Sequence, residues 1–391
     1  MKIALVAPPF IPVPPHRYGG TELFIAHLAS GLVALGHEVI VYANGESVLP
    51  CEVRWLYPKS EWPITADIVG SLKDLNHTSW ACADAAGTVD VIHLNNSPGL
   101  AFSRLLGEPI VYTIHHAREP ALSEFYTGFP QVTYVTISEY QRTLETMPRM
   151  VAIHHGLDFH RYPLVERKQP YLSFLGRIAP VKAPHLAIEV ARKAGIPLKI
   201  AGEIQPMYRD YWETAVRPHV DGRFIEFVGE ADHAAKVELL GNSMAMLFPI
   251  QWNEPLGLVM IEAMACGTPV LAFPKGSVPE IVGNGVSGWI CDDVDEMVAR
   301  ARDAALPAAL CRQYAAENFS VETMVRRYEA VYQAAIATRD EARLLASPAV
   351  ELRPKRSERV AVVGARGAVP AVRQARVVAQ AADRGTARAD G

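Results

Sequence analysis

Glu254 and Glu262 stand eight positions apart in the stretch Asn253 to Val270, which otherwise consists largely of Leu, Val, Met, Ile and Ala. Pro255 suits the first position of a helix, where its missing N–H and fixed φ cost nothing. Gly267 suits the left-handed residue just past the end, and Pro269 keeps the helix from resuming. A helix this apolar is expected to be buried, and a buried carboxylate needs a charged or hydrogen-bonding partner. The first turn offers free N–H groups at Leu256, Gly257 and Leu258, which is how a helix start holds phosphate. Phosphate repels carboxylates, so both glutamates read as acceptors for neutral hydroxyls on either side of it, as in a nucleotide sugar. The alternative is a Glu254 favoured by the helix dipole and a Glu262 facing solvent; this segment alone supports both.

Other residues carry weaker chemical signals. Asp293-Val294-Asp295 has the spacing of some metal-using sugar transferases, but it precedes a helix starting near Glu296 and reads as an N-cap. The pairs His115-His116 and His154-His155 are adjacent in sequence, so the side chains of each pair diverge, and they lack zinc spacing. No metal is expected. Cys51, Cys82, Cys266, Cys291 and Cys311 are scattered without a CxxC spacing, which suggests free thiols in a reducing compartment.

The elements that must position these residues form two series. Ile3 to Ala7 is a continuous apolar run, expected of a central parallel strand. Gly19-Gly20-Thr21-Glu22 then opens a helix with Phe24, Leu28, Leu32 and Leu35 on one face and Gly36 as its stop, and Glu38 to Ala43 is the next strand. Strands are also expected within 89–94, 109–114 and 132–137. A polar, proline-bounded linker runs from Arg161 to Pro170. The second series has strands within 171–175, 198–201, 224–228, 244–248 and 269–273, with a helix from Pro184 to Ala194. These features predict an α/β protein of two doubly wound parallel sheets, whose ligands bind at the C-terminal ends of the strands. Pockets between domains are the default binding sites. No GxGxxG follows any strand, which counts against an NAD or FAD enzyme.

The chain of 391 residues is half apolar and one-fifth charged, with a formal net charge of −4, so nothing suggests nucleic acid as its main partner. The apolar run at the N-terminus is too short for a signal sequence and ends at prolines, and no stretch approaches membrane-spanning length. A cytoplasmic protein is expected. An amphipathic helix covers about 321–338. The segment 347–391 is rich in Arg and Ala, without aromatics, and reads as a disordered basic appendage, able to touch an acidic membrane surface or simply solvated.

The order and spacing of these elements resemble glycosyltransferase family 4, retaining enzymes of the two-domain GT-B fold, from Met1 to about Thr338. The resemblance rests on Glu254 and Glu262, followed by Gly267-Thr268-Pro269-Val270, Gly276-Ser277 and Glu280-Ile281-Val282. Gly19-Gly20-Thr21-Glu22, Thr113-Ile114-His115, Gly156-Leu157-Asp158 and Gly176-Arg177 with Lys182 support it. Members often carry Asn before the Gly-x-Asp, where this chain has His155.

The resemblance implies two Rossmann-like domains facing a central cleft. Residues 1–160 form the acceptor side, with helix 321–338 packing back on it, and 161–320 bind the donor. It implies transfer of a sugar from a nucleotide donor to an acceptor hydroxyl with retention of configuration, without metal or cofactor. Arg177 and Lys182 would stabilise the departing diphosphate, assisted by N–H groups of Gly257, Leu258 and Val259 and of the Gly19-Gly20 loop, with Gly176 beside them. Glu262 would accept from the ribose, Glu254 would hold the transferred sugar, and His115 would contact that sugar and stabilise charge on its ring. Tyr18 and Arg118 are candidates for the acceptor, which would be a glycan, a lipid-linked or a small molecule. No first-domain carboxylate presents itself as a nucleophile, so front-face attack is expected. A nucleotide-sugar epimerase of the same fold and a non-catalytic nucleotide-sugar sensor are the alternatives, the latter disfavoured by the presence of Glu254 and Arg177.

Overall fold

The computed structural model describes residues 1–16, 19–61, 68–303 and 305–346. The first sheet holds β1 (Lys2–Val6), β2 (Glu38–Ala43), β3 (Glu52–Trp55), β4 (Val91–Leu94), β5 (Ile110–Ile114), β6 (Thr133–Thr136) and β7 (Met150–Ala152). Its order is β3-β2-β1-β4-β5-β6-β7, with every pair parallel. The second holds β8 (Leu172–Leu175), β9 (Leu198–Ala201), β10 (Ile225–Gly229), β11 (Ala245–Phe248), β12 (Val270–Ala272) and β13 (Gly288–Ile290). Its order is β10-β9-β8-β11-β12-β13, again all parallel.

Continuous apolar strands arise because both faces of each sheet are covered. In β1, Ile3 and Leu5 face a core shared with the helix Gly20–Ala34, while Ala4 and Val6 face a second core under the helix Ile68–Ala85. The expected apolar face of the first helix holds at Phe24, Leu28 and Leu32, but Leu35 is the C-cap and is exposed. The edge strands β3 and β7 were not anticipated. Short edge strands need no apolar run, and β3 is only half-buried.

Strand order reverses between β1 and β4 in one sheet and between β8 and β11 in the other. Those reversals open a crevice at the carboxyl ends of the strands. The helix Val321–Ala346 packs against the first sheet's core through Val325, Tyr328 and Tyr332. Where the chain crosses between sheets, Leu157 N–H donates to the Phe319 carbonyl at 2.8 Å and Val321 N–H to the Leu157 carbonyl at 3.1 Å, so the outgoing and returning strands are tied together.

The glutamate-bearing helix is shorter than the sequence suggests. It spans Leu258–Ala265, with Gly257 at φ 74° as its N-cap, so Pro255 lies outside it rather than at its first position. The preceding segment is held instead by the loop at 276–277. Ser277 N–H donates to the Glu254 carbonyl at 2.9 Å and Ser277 Oγ to the Leu256 carbonyl at 3.0 Å. A Cβ at Gly276 would lie 2.3 Å from the Glu254 carbonyl oxygen, so only glycine permits this approach. The far end is as expected: Gly267 has φ 75°, its N–H reaches Met264 O, and Thr268 N–H reaches Ala263 O, a Schellman closure.

Candidate active site

The carboxyl ends of the two sheets face a cavity of about 300 Å³ lined by Gly20, His115 and His155 from one side and Glu254, Gly257 and Leu258 from the other. Each residue stands where its strand delivers it. His115 directly follows β5, Gly20 begins the helix after β1, and Glu254 lies in the loop after β11.

Glu254 and Glu262 are both buried, and both are paired with lysines. Glu254 Oε2 accepts from Lys182 Nζ and, at 3.0 Å, from Trp252 Nε1. Glu262, two turns deeper, accepts at Oε1 from Lys236 Nζ and, at 2.8 Å, from the Tyr162 hydroxyl. The solvent-facing alternative for Glu262 is thereby excluded: its side chain is 9% exposed. The partners that these buried carboxylates need are ammonium groups, not the neutral hydroxyls expected from the sequence alone. Lys236 lies in the helix His233–Asn242 without any motif around it, and Tyr162 lies in the segment read as a linker.

Arg177 follows β8 with Gly176; it is exposed and has no ion pair among the described residues. Val259 and Gly19 flank the cavity in sequence, one in the glutamate helix and the other as N-cap of the first helix. Arg118 lines a neighbouring cavity of about 380 Å³ with Tyr140, Trp252 and Pro255, and Pro255 borders both cavities. Tyr18 and the segment 347–391 lie outside the described residues.

On the opposite wall the histidines form a group that no sequence motif announced. Although His115 and His116 diverge, His115 stacks on His155, with ring centroids 5.2 Å apart and planes 28° from parallel. His115 Nε2 lies 2.9 Å from Asn95 Oδ1, and His115 Nδ1 lies 3.3 Å from His155 Nε2. Phe24 closes on both rings, at 4.9 Å from His115 and 4.7 Å from His155. Burial, reinforced by the neighbouring histidines, holds His115 well below the usual imidazole range and pushes His155 down to about 3, so both rings are neutral at pH 7. His154 points elsewhere, to Glu280 Oε2 at 3.0 Å. Glu280 also accepts from the N–H groups of Glu139 and Tyr140, linking the second sheet's side of the cleft to the first.

Among the described residues no group of three or more His, Cys, Asp or Glu is arranged to hold a metal ion. Asp293 caps the helix Val294–Arg302 by accepting from Glu296 N–H at 2.8 Å, and Asp295 pairs with Lys193.

Comparison with known proteins places this cleft in a family. The model for glycosyltransferase family 4 matches residues 18–177, and that for glycosyl transferases group 1 matches residues 158–317. The chain is 25% identical over 390 residues to a glycogen synthase of Mycobacterium tuberculosis, an alignment covering 82% of this chain and 92% of that one. In fold it is similar to sucrose-phosphate synthase from Thermosynechococcus elongatus, with TM-score 0.70, 18% identity, and coverage of 86% of this chain and 99% of the other. It is similar too to Anabaena HepE in complex with UDP and glucose, with TM-score 0.63, 17% identity, and coverage of 85% and 100%. Its two parallel sheets form a GT-B fold, and with the two family models spanning residues 18–317 between them, the chain belongs to glycosyltransferase family 4 and is a glycosyltransferase.

Proposed function

We propose that the protein transfers a hexose from a nucleoside diphosphate sugar to an acceptor hydroxyl, with retention of anomeric configuration and without a metal ion. The observation that carries this reading is the facing of the lysine-paired Glu254 and a neutral imidazole, His115, across one cavity, with the lysine-paired Glu262 two turns deeper along the adjoining helix. A diphosphate leaving group needs fixed cations and dipoles. Arg177 and Lys182 supply the charge, and the N–H groups of Gly257, Leu258 and Val259 and of the Gly19-Gly20 turn supply the dipoles. An ammonium has three donors, so Lys182 can serve Glu254 and a phosphate oxygen together.

In this reading Glu262, with Lys236 and Tyr162, receives the ribose hydroxyls, and Glu254 holds the outer hydroxyls of the sugar. The reacting sugar ring gains positive charge as its bond to phosphate breaks, and a neutral His115 can lie against it where an imidazolium would repel it. The leaving phosphate oxygen takes the acceptor's proton on the same face. The acceptor enters beside Arg118 and Tyr140, in the cavity that shares Pro255 with the donor. Residues 1–160 then serve as the acceptor side and 161–320 as the donor side. No helix among the described residues is long and apolar enough to cross a membrane.

The test is a thermal-shift screen of UDP-, GDP-, ADP- and dTDP-sugars followed by a transfer assay. Binding stabilises the native state as ln(1 + [L]/Kd). The HepE complex makes a uridine donor the first to try. Stabilisation by one nucleotide sugar in the presence of EDTA, with an α-linked product from an α-linked donor, is expected. Inversion, or activity lost to EDTA and restored by a divalent cation, would overturn the mechanism.

A further inference from the structure

His155 belongs to the strand that crosses between the two sheets, two residues from the tie between Leu157 and Phe319. Its neighbour Gly156 is pinned as well, with its N–H 3.0 Å from Met324 Sδ. The residue is 8% exposed and its ring sits against His115 and Phe24. Three hydrogen bonds in series fix the protons of this group. Asn95 Nδ2 donates to the Val6 carbonyl at 3.1 Å, which turns Asn95 Oδ1 toward His115. A carbonyl-type oxygen only accepts, so His115 Nε2 carries the proton and, in the neutral ring, Nδ1 is an acceptor. His155 Nε2, 3.3 Å from that Nδ1, must then be the donor.

We propose that His155 is a positioning residue for the transfer reaction, its Nε2–H acting with Asn95 Oδ1 to hold His115 in a single neutral tautomer and in one orientation at the cleft. Protonation of His115 at Nδ1 would set two N–H groups against each other, so the same contact excludes the imidazolium form. The neutral Nε2–H form of His155 leaves its Nδ1 as a bare acceptor, and that buried atom has no hydrogen-bond partner. An unmet acceptor costs stability and persists where the arrangement serves something else. Because His155 rides on the crossing strand, the orientation of the His115 ring is tied to the place where the two halves join. The proposal rests on the assignment of His115 to the sugar, and its test separates the two.

Two variants of the full chain isolate the donor. His155→Phe keeps an aromatic ring against His115 and removes the N–H; His155→Gln removes the ring and restores an N–H at a similar reach. In protein labelled with ¹⁵N-histidine, the ring resonances of His115, assigned by their loss in His115→Ala, report its tautomer. The expected result is the Nε2–H tautomer alone in the unaltered protein and in His155→Gln, and a mixture in His155→Phe. With it, kcat falls about tenfold to a hundredfold in His155→Phe at unchanged donor KM, and recovers in His155→Gln. An Nδ1–H tautomer in the unaltered protein overturns the proposal without any variant. Ring resonances unchanged in His155→Phe overturn it also. A shifted tautomer with full kcat supports the hydrogen bond but overturns the positioning role, and full activity of His115→Ala then shows that the failure lies in the assignment of His115 to the sugar.

Discussion

The two walls of the cleft solve the problem of buried polar groups in opposite ways. On the second sheet's side, Glu254 and Glu262 remain beside Lys182 and Lys236, so charge is kept and balanced. On the first sheet's side, His93, His115 and His155 are buried as neutral rings joined to Asn95, Thr113 and Tyr332 by hydrogen bonds. The difference matches what each wall would meet. Hydroxyls and a diphosphate call for acceptors and cations together, whereas a sugar ring becoming positive calls for a polar surface without positive charge.

Acid pH should break the symmetry of stability between the walls, with the largest expected effect. Burial pushes His93 and His155 down to about 3 and His77 down to about 4, against 6.5 for an exposed imidazole. Below pH 6.5 the unfolded chain therefore binds more protons than the folded one, and stability falls with pH, by about 1 kcal/mol per histidine for each pH unit. Glu22 and Asp74, raised by burial, take up protons in the fold and offset part of this loss near pH 4.5. The second sheet's distinctive group is Lys168, lowered by burial to about 8 from 10.5, whose cost is relieved as pH rises from 8 toward 10.5. Hydrogen exchange, corrected for intrinsic rates, should show the first sheet losing protection between pH 6.5 and 4.5 before the second. Simultaneous loss in both would mean that the walls unfold as one unit.

The charged wall is tested next by Glu254→Ala. Removing the carboxylate should lower turnover about a thousandfold, on the scale of losing a preorganised transition-state contact, with circular dichroism unchanged. Arg177→Ala should do the same through the leaving group. Full activity in either variant would remove that residue from the site.

How far this comparison could be read in advance differs between the walls. The donor-side glutamates have a fixed spacing within one short segment, Glu254 in the loop and Glu262 in the helix that follows it, and the glycine and proline beyond announce the helix end, so that wall was legible. Its start was not, because the turn at Gly257 depends on a loop 20 residues later pressing against Glu254. Lys182 was legible only as a phosphate group and Lys236 not at all, because each reaches its glutamate from another segment, across 72 and 26 residues of sequence. His115 was legible at the end of its strand, but its group was not: His155 meets it across 40 residues, and Asn95 comes from the loop after β4. Strand order and apolar runs report which strands are central; they carry no record of which side chains meet at the strand ends.

A smaller effect is expected at Glu262→Gln. The change keeps the volume and one acceptor while leaving Lys236 without its counter-charge. Lys236 is 22% exposed and can turn partly to water, so the loss of stability should be about 1 kcal/mol, below that of a fully buried pair. The donor KM should rise about tenfold while kcat changes little, since a ribose contact binds ground state and transition state alike. A loss confined to kcat would place Glu262 nearer the reacting carbon than the present assignment.

The smallest effect belongs to removal of residues 347–391. The wall residues assigned to substrate and described in the structure lie between Gly19 and Glu262, Tyr332 supports His93 from the returning helix, and that helix ends at Ala346. Truncation after Ala346 should therefore leave kcat for a soluble acceptor within about twofold, because no transition-state contact is removed. The excess of arginine in the removed segment gives the comparison a second arm. On vesicles carrying an acidic lipid and a lipid-linked acceptor, a truncated enzyme with lower apparent affinity at low salt, and no difference at high salt, would assign the segment to electrostatic contact with a surface. Equal rates on both acceptors at both salt concentrations would leave the cleft as the whole of the catalytic apparatus, and a folded but inactive truncation would show that one of its walls extends beyond Ala346.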